Sequence, residues 1–114
     1  MPTTYTLPDG WYIEYRPSAT SSNDLALAAL RQSAGKAEGR CFQVGEQTKG
    51  RGRRGKQWVS KSGDGLYLSI ILCPETARDT WSGLSFMASL AVYKALLEVI
   101  EDAHIMRCSL KWPT

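Results

Sequence analysis

At 114 residues the chain has room for one small domain, and its 43% hydrophobic and 22% charged residues are ordinary for a soluble globular fold. No run approaches the roughly 18 apolar residues that cross a bilayer. Met1-Pro2-Thr3-Thr4-Tyr5 lacks the basic and apolar regions of a signal peptide, so a cytoplasmic location without membrane association is expected.

Trp11 to Arg16 is rich in aromatics with a β-branched residue and predicts a strand ended by Pro17. Ser21-Ser22-Asn23-Asp24 then offers several helix N-caps before a run of Leu and Ala, with Gly35 placed to stop the helix. Cys41 to Glu46 predicts a second strand. Residues 47 to 57 hold no apolar side chain, and Gly50, Gly52 and Gly55 sit between cations, so a loop with no packed element is expected there. Trp58 and Val59 restart a strand, and Lys61 to Gly65 is a turn of the kind that joins a hairpin. Leu66 to Leu72 is apolar on nearly both faces, which predicts a central strand covered by helices.

Asp79 or Thr80 is placed to cap a long helix running to about Ile100. Phe86, Leu90, Tyr93, Leu97 and Ile100 recur at helical spacing along it, widened by Met87 and Ala91. Ile105 to Trp112 alternates apolar and polar residues, the mark of a last strand, with Lys111 on the polar face. The order predicts an α/β (α+β) fold, a mixed sheet with helices packed on it. Cys41, Cys73 and Cys108 are far apart and His104 is the sole histidine, so no metal site is expected and the thiols read as reduced and mostly buried.

The net charge of +3 is local rather than general. Lys49, Arg51, Arg53, Arg54, Lys56 and Lys61 fall within 13 residues that contain no acid, leaving 8 basic residues against 11 acidic ones elsewhere. In Gln47 to Trp58 the glycines let backbone N–H groups approach a ligand, and the arginines offer planar bidentate donors for phosphate or carboxylate. Composition alone points to a polyanion and leaves open whether it is a nucleotide or a nucleic acid.

The spacing narrows this. Gly50-Arg51-Gly52-Arg53-Arg54-Gly55 with Trp58, preceded by Gln47 and followed by Leu66-Tyr67-Leu68-Ser69, resembles the signature of the biotin protein ligases (holocarboxylase synthetases). Ser21-Ser22-Asn23-Asp24 is similar to that family's S-T-N segment, and Lys111-Trp112-Pro113 to the start of its K-W-P-N-D, in the right order over residues 12 to 114. The resemblance implies a biotin/lipoate ligase-like fold. It also implies ATP-dependent conversion of biotin to biotinyl-5′-AMP, with Mg²⁺ on the ATP, and transfer to a lysine of a biotin carboxyl carrier protein.

Carried over by position, it implies that Ser21, Ser22 and Asn23 bind the biotin head group beside Gln47, and that Arg51, Gly52 and Arg53 close over biotin and the adenylate. Trp58 would pack on the ligand. Gly50, Arg51, Arg53, Arg54, Gly55, Lys56 and Lys111 would hold the nucleotide, with Arg53 and Lys111 catalytic. Lys56 stands where the family usually has arginine, Ser22 where threonine is common, and Thr114 where asparagine is expected.

The resemblance further suggests an N-terminal part of the catalytic domain, without a preceding DNA-binding domain or a following barrel. A homodimer mate or a complementing second half is then an expected partner. A nucleic-acid partner is disfavoured once the three motifs fall in register. Two other readings remain: a ligase-like module that binds biotin, its adenylate or nucleic acid without turnover, and a lipoate-type acyl ligase, whose glycine loop is spaced differently.

Overall fold

The computed structural model describes residues 3–33, 36–100 and 109–110, in two units, Met1–Pro74 and Glu75–Thr114. The spine of the first unit is one long strand, β3 (Arg40–Arg51). Strand β2 (Tyr12–Ala19) lies parallel to it, from Tyr12 opposite Arg40 to Ala19 opposite Gln47. Strand β1 (Thr3–Thr6) pairs antiparallel with the start of β2. Helix α1 (Ser22–Ser33) makes the crossover that a parallel pair requires. The sheet is therefore mixed, as expected, and among the described residues it has five strands, β1 being one that no sequence pattern announced.

The other edge of β3 is shared. Strand β4 (Gln57–Ser60) pairs antiparallel with Gln47, Gly50 and Arg51, and strand β5 (Tyr67–Ile70) pairs antiparallel with Cys41–Val44. This corrects two expectations. Lys61 to Gly65 does not join a hairpin of two mutually paired strands; it is an excursion between two strands laid end to end on β3. And β3, not the Leu66–Leu72 segment, is central. Leu66, Leu68, Ile70 and Leu72 are exposed, while Tyr67 and Ser69 turn to the more sheltered side and Ile71 is buried in the core.

Two further boundaries differ. Strand β2 continues through Pro17, because β1 covers only Tyr12 to Tyr15 and the proline lies on strand edge where a missing N–H is tolerated. Residues 47–51 belong to β3 rather than to a loop. Backbone pairing needs no apolar side chain, so a strand of glycine and cations leaves no alternation to read.

The core is small-grained: Ala26 and Ala29 of α1 meet Ala37, Phe42 and Ile71, with Leu25 and Cys73 against them. Alanines bring the helix close to the sheet but remove little apolar area from water, so polar ties at its N-terminus carry added weight. Ser21 supplies one as N-cap, its Oγ accepting the Asp24 N–H at 2.9 Å. Beside the core, Arg40 lies over the rings of Tyr12 and Phe42, 5.7 and 5.1 Å from their centroids. Cys41 is buried, which pushes its thiol pKa up, and Cys41 and Cys73 are free.

In the second unit a 3-10 turn (Arg78–Gly83) leads into helix α2 (Leu84–Val99). Neither Asp79 nor Thr80 caps α2. The Thr80 hydroxyl instead donates to Ala77 O at 2.6 Å, and the Trp81 indole to Thr76 O at 3.1 Å. Of the expected stripe, Leu90, Tyr93 and Ile100 are half-buried, whereas Phe86, Met87 and Leu97 are exposed. Although no 18 apolar residues are consecutive, Arg78–Val99 is long and apolar enough to cross a membrane by length and composition alone. A core helix of a soluble protein passes the same test. The expected strand Ile105 to Trp112, with Cys108 and Lys111, lies outside the described residues except for Ser109 and Leu110.

Candidate functional site

The C-terminal ends of the parallel pair β2 and β3 meet the N-terminus of α1, a place where free helix N–H groups collect. Ser21 and Ser22 are buried there, at 3% and 5% exposure. The Ser22 N–H donates to Gln47 Oε1 at 2.8 Å, and Gln47 Nε2 donates to Ser60 Oγ at 2.9 Å. Ser22 Oγ and Ser69 Oγ share a hydrogen bond of 2.8 Å. One glutamine thus ties helix, β3 and β4 together, and one serine ties the helix to β5. Asn23 is exposed on the first turn.

Gly50 is what lets the strands close over this network. A Cβ there would lie 2.7 Å from Trp58 O, 2.9 Å from Gln47 Nε2 and 3.0 Å from Ser60 Oγ. Gly52 is different, since a Cβ would make ordinary contacts at 3.5–3.6 Å with Lys56 and Trp58. A cleft of about 290 Å³ opens beside the hairpin, lined among others by Gln47, Lys49, Gly50, Trp58 and Ser60. A larger groove of about 580 Å³ runs along α2, lined by Val92, Tyr93, Leu96 and Leu110, and its lining among the described residues is uncharged.

Beyond Gly50 the hairpin turns at Arg53–Gly55. Gly52 N–H donates to Lys56 O at 2.7 Å, and Lys56 N–H to Arg53 O at 3.3 Å. Arg54 (φ 59°) and Gly55 (φ 74°) both lie in the left-handed region, the signature of a type I′ turn. Arginine is a strained choice at the first of these positions. Arg53, Arg54, Gly55 and Lys56 are all exposed, and Trp58 is 60% exposed, so it is not a core residue.

Arg51 is held apart from these cations. Its guanidinium meets Asp24 Oδ1 at 2.7 Å. That contact, with hydrogen bonds from Thr20 and Ser21, holds the Asp24 carboxyl below the usual carboxylate range and raises Arg51. Lys49 N–H donates to Thr20 O at 2.8 Å, fixing the hairpin base to the same turn.

The structure therefore brings Ser21, Ser22, Gln47, Gly50 and Arg51 together at one helix end, with Gly52 and Trp58 adjacent on the hairpin. It sets Arg54, Gly55 and Lys56 at the tip, and Lys111 lies outside the described residues. Sequence reading missed three participants. Ser69 left a trace as the polar residue in an apolar run. Ser60 and the Asp24–Arg51 pair left none.

Comparison with known proteins decides the family. The sequence matches the Biotin/lipoate A/B protein ligase family over residues 15–114. The chain belongs to that family. Among curated relatives of this ligase-family chain, the bifunctional ligase/repressor BirA of Bacillus subtilis is 30% identical over 104 residues, 91% of this chain and 30% of BirA. The biotin–[acetyl-CoA-carboxylase] ligase of Paracoccus denitrificans is 40% identical over 68 residues, 60% of this chain and 27% of that protein.

Two solved structures of the Leishmania major biotin protein ligase also match. The complex with biotin gives a TM-score of 0.69 at 27% identity, and that with biotinyl-5-AMP gives 0.70 at 28%. Each comparison covers 89% of this chain and 44% of the other. The resemblance to biotin protein ligases is borne out, and the family member spans about 30% of the length of these BirA relatives.

Proposed function

We propose that this chain carries the biotin-activating site of an ATP-dependent biotin protein ligase. The observation that supports the reading best is the division of chemistry around Gln47. Neutral groups, buried at Ser21, Ser22 and Ser60 and half-buried at Gln47 and Ser69, suit an uncharged cyclic urea, and cations on the adjoining hairpin suit a carboxylate and a phosphate. The solved relatives are named for complexes with biotin and with biotinyl-5-AMP, which agrees.

In this reading Ser21, Ser22, Asn23 and Gln47 hold the biotin head group and Trp58 lies along the ligand. Its carboxylate attacks the α-phosphorus of ATP, and pyrophosphate leaves. Arg51, Arg53 and Lys111 stabilise the charge gathering on phosphorus, while the backbone of Gly50, Gly52 and Gly55, with Arg54 and Lys56, holds the phosphates. The hairpin then shields biotinyl-5′-AMP from water until a lysine amine of a carboxyl carrier protein takes the acyl group and AMP departs. Among the described residues no group of three or more His, Cys, Asp or Glu is placed to hold a metal. Mg²⁺ would arrive on the ATP phosphates, and no step here runs through it. The reading places the reaction in the cytoplasm.

Because the chain spans less than half of each relative, binding without turnover is the second reading. Thermal unfolding with biotin, with biotin plus Mg-ATP, and with RNA separates the two from each other and from nucleic-acid binding. Saturating biotin at a hundredfold excess over its Kd is expected to add about 2.7 kcal/mol of stability. Pyrophosphate release in the same samples reports turnover. No shift with biotin or ATP, beside a salt-sensitive shift with RNA, overturns the ligase reading.

A further inference from the structure

The hairpin holds six cations in 13 residues, yet Arg51 does not point away from its neighbours into water. It reaches across to the first turn of α1 and closes on Asp24 at 2.7 Å, with side-chain exposures of 54% and 31%. Asp24 is itself tied down. Its N–H is bonded to the Ser21 cap, and its carboxylate accepts from Thr20 and Ser21. The main chain repeats the link one step back, where Lys49 N–H meets Thr20 O and Thr48 Oγ1 approaches Ala19 O at 3.4 Å. Three successive hairpin residues but for Gly50 are thus moored to the segment 19–24 that also presents Ser21 and Ser22.

We propose that Asp24 is a positioning residue that latches the glycine hairpin to the N-terminus of α1 through Arg51, fixing that guanidinium beside the Ser21–Ser22–Gln47 network. The latch holds Arg51 already oriented beside the helix end, so a carboxylate or phosphate binding there meets a guanidinium whose side-chain freedom is spent before it arrives. For its effect on biotin the inference rests on the function proposed above; the latch itself is read with no ligand present.

The experiment measures amide hydrogen exchange residue by residue on the full chain and on Asp24→Asn, Asp24→Glu, Arg51→Gln and the double variant Asp24→Asn/Arg51→Gln. Asp24→Asn and Arg51→Gln are each expected to speed exchange across Arg51 to Trp58 by roughly fivefold, the upper range for an exposed ion pair. The double variant is expected to do no more than either alone, and Asp24→Glu to restore most of the protection. Amides of Phe42 and Val44 should keep their rates. Unchanged hairpin rates in Asp24→Asn, additive single effects, or equal acceleration at Phe42 and Val44 would each overturn the latch. Additivity would assign Asp24 to helix capping alone. Calorimetric titration with biotin runs alongside: Asp24→Asn is expected to weaken binding severalfold. Failure of the unaltered chain to bind biotin refutes the ligase reading and leaves the exchange data to decide the latch.

Discussion

At its base the β3–β4 hairpin is closed by half-buried hydrogen bonds, the Ser22 N–H donating to Gln47 and Gln47 donating to Ser60, whereas at its tip the same hairpin turns on an exposed, left-handed Arg54 followed by Gly55. The base packs so closely that Gly50 has no space for one more carbon. At the tip a Cβ on Gly55 would meet nothing within 4 Å. The two regions are only a few residues apart, yet one is fixed by close packing and side-chain hydrogen bonds and the other turns on an exposed left-handed pair. A site that must recognise a neutral group and also cover a reactive one gains from this split. Recognition wants groups that do not move, and a cover wants groups that do.

The comparison breaks most easily at Gly50. Gly50→Ala is expected to destabilise the chain by about 2–3 kcal/mol in urea unfolding, because two of the clashes sit at the base network and one is with backbone. Gly52→Ala, which meets only ordinary contacts, should stay below about 1 kcal/mol. Equal effects would erase the distinction between base and tip. Next comes Gln47→Leu, which strands the Ser22 N–H and is expected to cost about 1–3 kcal/mol in the same assay. The smallest change is at the tip. Arg54→Asn suits the left-handed conformation better and is expected to raise stability by up to about 1 kcal/mol. A loss there instead would show that the arginine side chain holds the turn.

Much of this architecture is legible in the sequence. Ser21 reads as a cap because hydroxyls ahead of a Leu/Ala run satisfy free helix N–H groups, and it caps α1. The basic glycine stretch stands out because charge is local in sequence. Its strand character does not, since residues 47–51 pair through backbone that every residue carries. Lys61 to Gly65 announces a reversal, but a turn does not say that the strands on either side both pair with a third. Asp24 and Arg51 are far apart along the chain, and no local pattern joins residues so distant. The same holds for Gln47 and Ser60, whose meeting depends on the bulge between Gln47 and Gly50. Tertiary pairing of polar groups is where reading by pattern runs out.

Strands β4 and β5 follow one another along a single edge of β3, parted by residues 61–66. In effect they are one strand carrying an insert. Chain length between Ser62 and Leu66 can then change without shifting the register on either side, so a reporter group attached at the exposed Ser62, rather than at Gly63 with its left-handed φ of 81°, offers a window onto the hairpin that leaves the sheet register untouched.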